Sequence, residues 1–126
     1  MIEATLGIVK DGMKILDVPY AFMRWTSEII PNRYWIGEFT ESPTNTEDGY
    51  ENYTIILTGT TNDLWSVLME DREKIKDYFT KISGLRMITG AGAVVIFYDN
   101  AFPVPTGDAN LKRMQINLQV KTWKGM

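Results

Sequence analysis

Hydrophobic and polar positions recur along this chain with two different periods, which divide it into helices and strands. Apolar residues return every three or four positions in residues 2–16 and again in residues 62–82, which predicts two amphipathic helices. Asn62 is a suitable N-cap for the second helix, and Gly84 is a natural stop beyond it. The buried stripe of this second, main helix is predicted to consist of Leu64, Leu68, Ile75, Phe79 and Ile82.

The first pair of strands is predicted on either side of a polar loop. Residues 34–41 have the composition of a strand, and in residues 53–58 successive side chains point to opposite faces. The loop between them, residues 42–49, is longer than a tight turn requires. We therefore expect a long antiparallel β-hairpin over residues 34–59, preceded by a short strand or extended arm in residues 20–26.

The remaining strands are expected within residues 85–121. Short strands are predicted at residues 85–89 and 93–98, and the second is almost entirely apolar, as in a strand covered on both faces. Residues 99–107 have the composition of a turn-rich connector. The last strand alternates, so that its two faces are predicted to differ. Its inward residues are Met114, Ile116, Leu118 and Val120, and its outward residues are Arg113, Gln115, Asn117, Gln119 and Lys121.

The length and composition are those of one small globular protein. The chain has 126 residues, of which 44% are hydrophobic and 23% charged, close to the averages for folded domains. The order of elements predicts a single α+β domain over residues 1–126, with an antiparallel sheet packed by the main helix and a shorter N-terminal one. No apolar run approaches the length of a membrane span, so no membrane partner is expected.

The composition excludes most kinds of catalytic site. The chain has neither cysteine nor histidine, and so lacks disulfides, zinc–thiolate sites and the commonest general base. Acidic residues around the hairpin either chelate a hard cation or solvate the loop, and their spacing matches no calcium loop. These residues are Glu38, Glu41, Glu47, Asp48 and Glu51. We predict no enzyme activity, no metal and no cofactor.

Charge and aromatic content indicate what kind of partner to expect. Acidic residues outnumber basic ones by 16 to 13, and the basic ones are scattered, so sequence-specific nucleic-acid binding is not expected. Eight large aromatic residues fall in the first 53 positions. Most are expected in the core, and the rest are candidates for a subunit interface, where Tyr and Trp are enriched.

Several stretches, in order and at similar intervals, resemble tail-terminator (tail-completion) proteins of siphophages and related prophages. They are residues 34–41 (YWIGEFTE), 54–59 (TIILTG), 96–98 (IFY), 103–108 (PVPTGD), 111–118 (LKRMQINL) and 121–125 (KTWKG). The resemblance covers roughly residues 18–125, and residues 1–17 add little to it. No single stretch is a sharp signature, so the order of the stretches, the central helix and the chain length carry the resemblance.

The resemblance implies a structural virion protein. Such proteins cap the tail tube as a homohexameric ring, end polymerisation of the major tail tube protein and join the tail to a head-completion or connector protein. The implied location is the head–tail junction of the virion, with assembly in the host cytoplasm. Other interpretations are another small phage neck or tail-tube protein, or a non-viral α+β module that binds a small ligand between sheet and helix. The residues expected at subunit or partner interfaces are Trp35, Phe39, Glu41, Asp48, Tyr50, Arg113, Gln115 and Asn117.

Overall fold

The chain forms one α+β domain, and a computed structural model describes its residues 2–42, 50–90 and 92–124. Within these ranges it has two helices and six strands, and all six strands belong to one sheet in the order β1-β2-β3-β6-β5-β4. In chain order the elements are α1 (Ile2–Ile15), β1 (Tyr20–Phe22), β2 (Arg33–Ser42), β3 (Tyr50–Thr61), α2 (Trp65–Tyr78), β4 (Leu85–Thr89), β5 (Gly92–Pro103) and β6 (Lys112–Lys124).

One edge of the sheet departs from the predicted antiparallel arrangement. β1 runs parallel to β2, with Tyr20 opposite Trp35, whereas all other neighbouring strands are antiparallel. Backbone hydrogen bonds at both ends hold this pair, from Trp35 N to Pro19 O at 2.8 Å and from Met23 N to Gly37 O at 2.8 Å. Residues 23–32 lead the chain back to the start of β2, so both strands run the same way. The sheet is therefore mixed, and the prediction of a purely antiparallel sheet is wrong.

The two arms of the predicted hairpin pair with each other. β2 and β3 are antiparallel, from Arg33 opposite Thr61 to Ser42 opposite Asn52, so the pairing is longer than predicted at its open end. Residues 43–49, which connect the arms and include Asp48, lie outside the described residues. On its other side β3 pairs with β6, a contact between strands far apart in the sequence.

The main helix is shorter than predicted at both ends. It spans Trp65–Tyr78, and Leu64 rather than Asn62 takes the N-cap position, with no side-chain capping bond. The Thr61 hydroxyl accepts a hydrogen bond from Asp63 N at 3.0 Å, and the Asp63 carboxylate accepts one from Leu64 N at 2.8 Å. These local bonds use turn geometry that competes with a helical start, so the helix begins later.

The shortened helix removes both ends of its predicted apolar stripe from the core. Leu68, Ile75 and Phe79 are fully buried, as predicted, whereas Leu64 is 68% exposed and Ile82 is fully exposed. Ile82 lies in the connection to β4, after the helix has ended. The prediction is therefore confirmed for the middle of the stripe and wrong for its two ends.

Both helices pack on one face of the sheet, and the other face, called here the open face, has no helix over it in the described residues. Val9 and Met13 of α1 and Leu68 of α2 belong to one core cluster with the inward residues of β3, β5 and β6. The helices also touch each other, because a Cβ on Gly12 would lie 2.7 Å from the Tyr78 ring. The predicted alternation of β6 is confirmed: Met114, Ile116, Leu118 and Val120 are buried.

β5 differs from its prediction in cover and in length. Val94, Ile96 and Tyr98 are buried, while Val95 and Phe97 on the open face are half-buried, so the expected cover on both faces is wrong. The strand also continues to Pro103, across an irregularity between Tyr98 and Asn100, where a connector was expected. Pairing with β6 supplies the backbone partners that a turn-rich sequence alone does not reveal.

Candidate functional site

The open face of β6 carries a row of hydrogen-bonded amides. Asn117 Nδ2 donates to Asn100 Oδ1 of β5 at 2.9 Å, and Gln115 Nε2 donates to Asn117 Oδ1 at 3.0 Å. An amide both donates and accepts, so each side chain orients the next one across and along the strands. The row therefore presents ordered, uncharged polar groups, of which Gln115 and Asn117 are half-buried and Asn100 is exposed.

Gln119 extends this row toward β3. Its Nε2 donates to the Asp99 carboxylate at 3.0 Å, and its Oε1 accepts from the Thr54 hydroxyl at 3.3 Å. Together, these two sets of hydrogen bonds span the three neighbouring strands β3, β6 and β5. Sequence alternation placed Gln115, Asn117 and Gln119 on one face, but only the strand order shows which residues of β3 and β5 meet them.

Arg113 lies on the same face as the amide row, as its position in β6 predicts. It is half-buried and pairs with Thr60 of β3 in the register of the sheet. Its Nε is buried and has no hydrogen-bond partner among the described residues. Of the residues expected at an interface, the structure therefore brings Arg113, Gln115 and Asn117 together on one surface.

Trp35 has a different position, inside the core. Its ring is fully buried, and its Nε1 donates to Asp71 Oδ2 of α2 at 2.9 Å. The same carboxylate oxygen accepts from Arg33 Nε at 2.8 Å. Trp35 therefore fastens β2 to the main helix and offers no surface to a partner. Asp71 was not singled out, although its place between Leu68 and Ile75 on the buried side of the helix was a readable signal.

The remaining expected residues belong to the hairpin half of β2 and its partner strand. Phe39 is 38% exposed and stacks on Phe22 with ring centroids 6.3 Å apart. Glu41 is exposed and lies opposite Tyr53. Tyr50 stands opposite Trp123 in the register. Asp48 lies outside the described residues.

The three acidic residues of the hairpin that the structure describes, Glu38, Glu41 and Glu51, do not share one face of the sheet. Side chains three positions apart in a strand point to opposite faces, which separates Glu38 from Glu41. Glu41 shares the side of Tyr53 and Glu51, away from the open face. Among residues 2–42, 50–90 and 92–124, no group of three or more carboxylates is arranged to hold a metal ion.

Two tyrosines have a raised pKa. The Tyr53 hydroxyl donates to the Glu51 carboxylate, and this bond, with burial and the negative charges of Glu51 and Glu41, raises the pKa of Tyr53 to about 12. Burial alone raises the pKa of Tyr20 to about 12, from an ordinary value of 10.0. In both cases the neutral phenol is the form that the fold favours.

We expect an alkaline titration of phenolate absorbance to show Tyr20 and Tyr53 ionising late, near pH 12. Because the folded pKa is raised, the stability that each phenol adds is complete below pH 10 and is lost as the pH rises toward 12. Glu51→Gln should lower the pKa of Tyr53 and leave that of Tyr20 unchanged. A titration of Tyr53 unaltered by Glu51→Gln would contradict the stated cause.

A groove of about 610 Å³ lies where the open face meets the β4 edge. Val95, Phe97 and Trp123 form its apolar surface, and Ile82 comes from the segment before β4. Arg86 borders it, with its Nε donating to the Ser83 carbonyl at 3.3 Å. The Lys121 ammonium stands 6.0 Å from the centre of the Phe97 ring. No local sequence pattern indicates this groove, because its residues come from three separate segments.

No protein-family model matches the chain, and no curated protein matches it significantly. In the part of the chain that the structure describes, neither helix is long and apolar enough to cross a membrane.

Proposed function

We propose that this chain is a structural virion protein of the tail-terminator kind, which assembles as a hexameric ring and caps a phage tail tube. The observation that carries the proposal is the uncovered sheet face with its ordered amide row. Both helices pack on the opposite face, so no helix covers the amides in the described residues. Hydrogen bonds among the amides and to the neighbouring strand hold these side chains in position. Ordered polar groups on a rigid sheet bind a partner without first losing conformational freedom.

The resemblance supplies the kind of partner, and the surface is compatible with it. In this proposal the major tail tube protein and a head-completion or connector protein bind opposite sides of the ring. The ring stands at the head–tail junction of the virion after assembly in the host cytoplasm. The amide row lines the channel or meets tube subunits. The low number of cationic side chains on that face suits a channel through which DNA passes. Each contact between a cation and a phosphate would add salt-dependent binding to the DNA.

Two other functions are alternatives to a tail terminator. A module that binds a small ligand between sheet and helix would need space there. Under the main helix that layer is filled, since Leu68, Ile75 and Phe79 are fully buried against inward residues such as Ile55 and Ile116. The space between helix and sheet is a groove of about 390 Å³ between α1 and β1, at the edge of the sheet. Another small phage neck or tail-tube protein would use the same surface, and it remains the alternative.

The oligomeric state tests the proposal directly. We expect size-exclusion chromatography with light scattering to give a mass six times that of the 14.4 kDa chain. Electron microscopy of that fraction should show closed rings that bind the ends of tubes formed by the major tail tube protein of the same phage. A monomer at all accessible concentrations would contradict the proposal.

Replacing Gln115, Asn117 and Gln119 together by Lys should reduce infectivity at least about tenfold, by adding phosphate contacts in the channel or by disturbing docking. The fold should survive, because these side chains are on the open face. The control adds the same charge on the helix-covered side, as Asn62→Lys, Ser66→Lys and Met69→Lys, all at exposed positions. Normal infectivity of the first variant, at normal copy number in virions, would show that the amide row has no such role.

A further inference from the structure

Besides the outer edge of the three-residue strand β1, two strand edges of this sheet have no partner strand in the described residues. β4 pairs with β5 on one side only. β1 covers β2 only from Trp35 to Gly37, so the next residues of β2 form a second free edge. All four residues at positions 38–41 are exposed. Uncovered edges offer unpaired N–H and C=O groups to another chain.

These two edges are at the same end of the sheet and on opposite sides of it. Leu85 and Glu41 lie at the same level across the sheet. They are connected by successive cross-strand pairs through Ile96, Val120 and Tyr53. Going across the sheet from β2 to β4, the strand direction reverses at each of four antiparallel pairings. β2 and β4 therefore run in the same direction. A second copy shifted by four residues along the strands therefore brings one free edge against the other as a parallel pair, because Arg86 is level with Ser42 in one copy and the shift places it beside Glu38 of the next.

The side chains of the two edges are complementary. β2 presents Glu38 on the open face and Phe39 on the other, while β4 presents Arg86 on the open face and Met87 on the other. Placing Glu38 beside Arg86 also places the partly exposed Phe39 beside the partly exposed Met87. In the sheet, opposite charges and apolar pairs at such positions stabilise neighbouring strands.

The same charges disfavour pairing of identical edges. Two β4 edges would bring two copies of Arg86 together, and two β2 edges would bring together the glutamates at positions 38 and 41. Like charges at neighbouring strand positions destabilise a sheet. A contact between different edges is heterologous, and its repetition closes a ring when the rotation permits.

We propose that β4 of one copy pairs in parallel with residues 38–41 of a second copy of this chain, with Arg86 against Glu38. The pairing covers the apolar β4 edge, where Ile88 is 91% exposed. This inference rests on the proposed self-assembly and names the surfaces that carry it. The contact leaves Gln115 and Asn117 of the amide row uncovered.

Charge reversal tests this pairing by sedimentation velocity over a range of concentrations. Arg86→Glu and Glu38→Lys should each raise the concentration needed for half-assembly at least about tenfold, because each brings like charges together. The double variant should assemble like the wild type. An equimolar mixture of the two single variants should also assemble, since copies that alternate around a ring match every reversed charge with its reversed partner.

Two controls separate pairing from general effects of charge. Arg24→Glu and Glu70→Lys carry the same charge changes at exposed positions on other elements, and they should assemble like the wild type. Thermal melting of each variant verifies its fold. If the wild type assembles and Arg86→Glu and Glu38→Lys assemble equally well, the edge pairing is wrong and the ring proposal stands. If the wild type is monomeric throughout, both proposals fail.

Discussion

Asp71→Ala should lower the free energy of unfolding by about 1–3 kcal/mol, the cost of leaving a buried hydrogen-bond donor without its acceptor. Asp71 is 1% exposed, and one of its carboxylate oxygens accepts from both Arg33 and Trp35. Alanine leaves the indole N–H without an acceptor inside the core and the guanidinium without its counter-charge. The loss also removes the two side-chain hydrogen bonds that join β2 to α2 through Asp71.

Chemical denaturation followed by circular dichroism measures this loss, and two variants define its origin. Asp71→Asn keeps an acceptor for Trp35 but removes the charge, so it should cost less than alanine. Glu70→Gln changes the neighbouring exposed carboxylate of the same helix and should alter stability by less than about 0.5 kcal/mol. If Asp71→Ala and Glu70→Gln unfold at the same denaturant concentration, the hydrogen bonds to Asp71 do not hold the helix to the sheet.

Leu68→Ala should destabilise the protein by about 2–5 kcal/mol, because it creates a cavity in the centre of the core. Leu68 is fully buried on α2, beneath the inward residues of β3 and β6. The magnitude within that range depends on how far the surrounding side chains move into the space. The measurement is the same denaturation experiment, with the slope compared as well as the midpoint.

The matched control for this variant is Leu64→Ala. Both leucines belong to the predicted stripe, but Leu64 is 68% exposed at the N-cap position of α2. Its replacement should change the free energy of unfolding by less than about 0.5 kcal/mol. Similar losses from the two variants would show that the helix packs in another register or begins earlier than in the structure.

Local patterns were sufficient to predict the elements and the core side of most of them. Alternation in β6 depends only on the geometry of an extended chain, so Met114 and Ile116 could be assigned to the core and Gln115 to the other face. The middle of the main helix was predictable for the same reason, since Leu68 and Ile75 recur with the helical period. The α+β class followed from the order of these elements.

Contacts between distant segments decided the remaining features. The parallel pairing of β1, the place of β6 beside β3 and the late start of α2 depend on where the chain returns, which no local period encodes. Trp35 was predicted at an interface, but it is buried and its indole N–H donates a hydrogen bond to Asp71, 36 positions away in the sequence. The two free edges likewise arise from strand order. Periodicity reports which side of an element is apolar, whereas the partner that covers that side is set by packing of the whole chain.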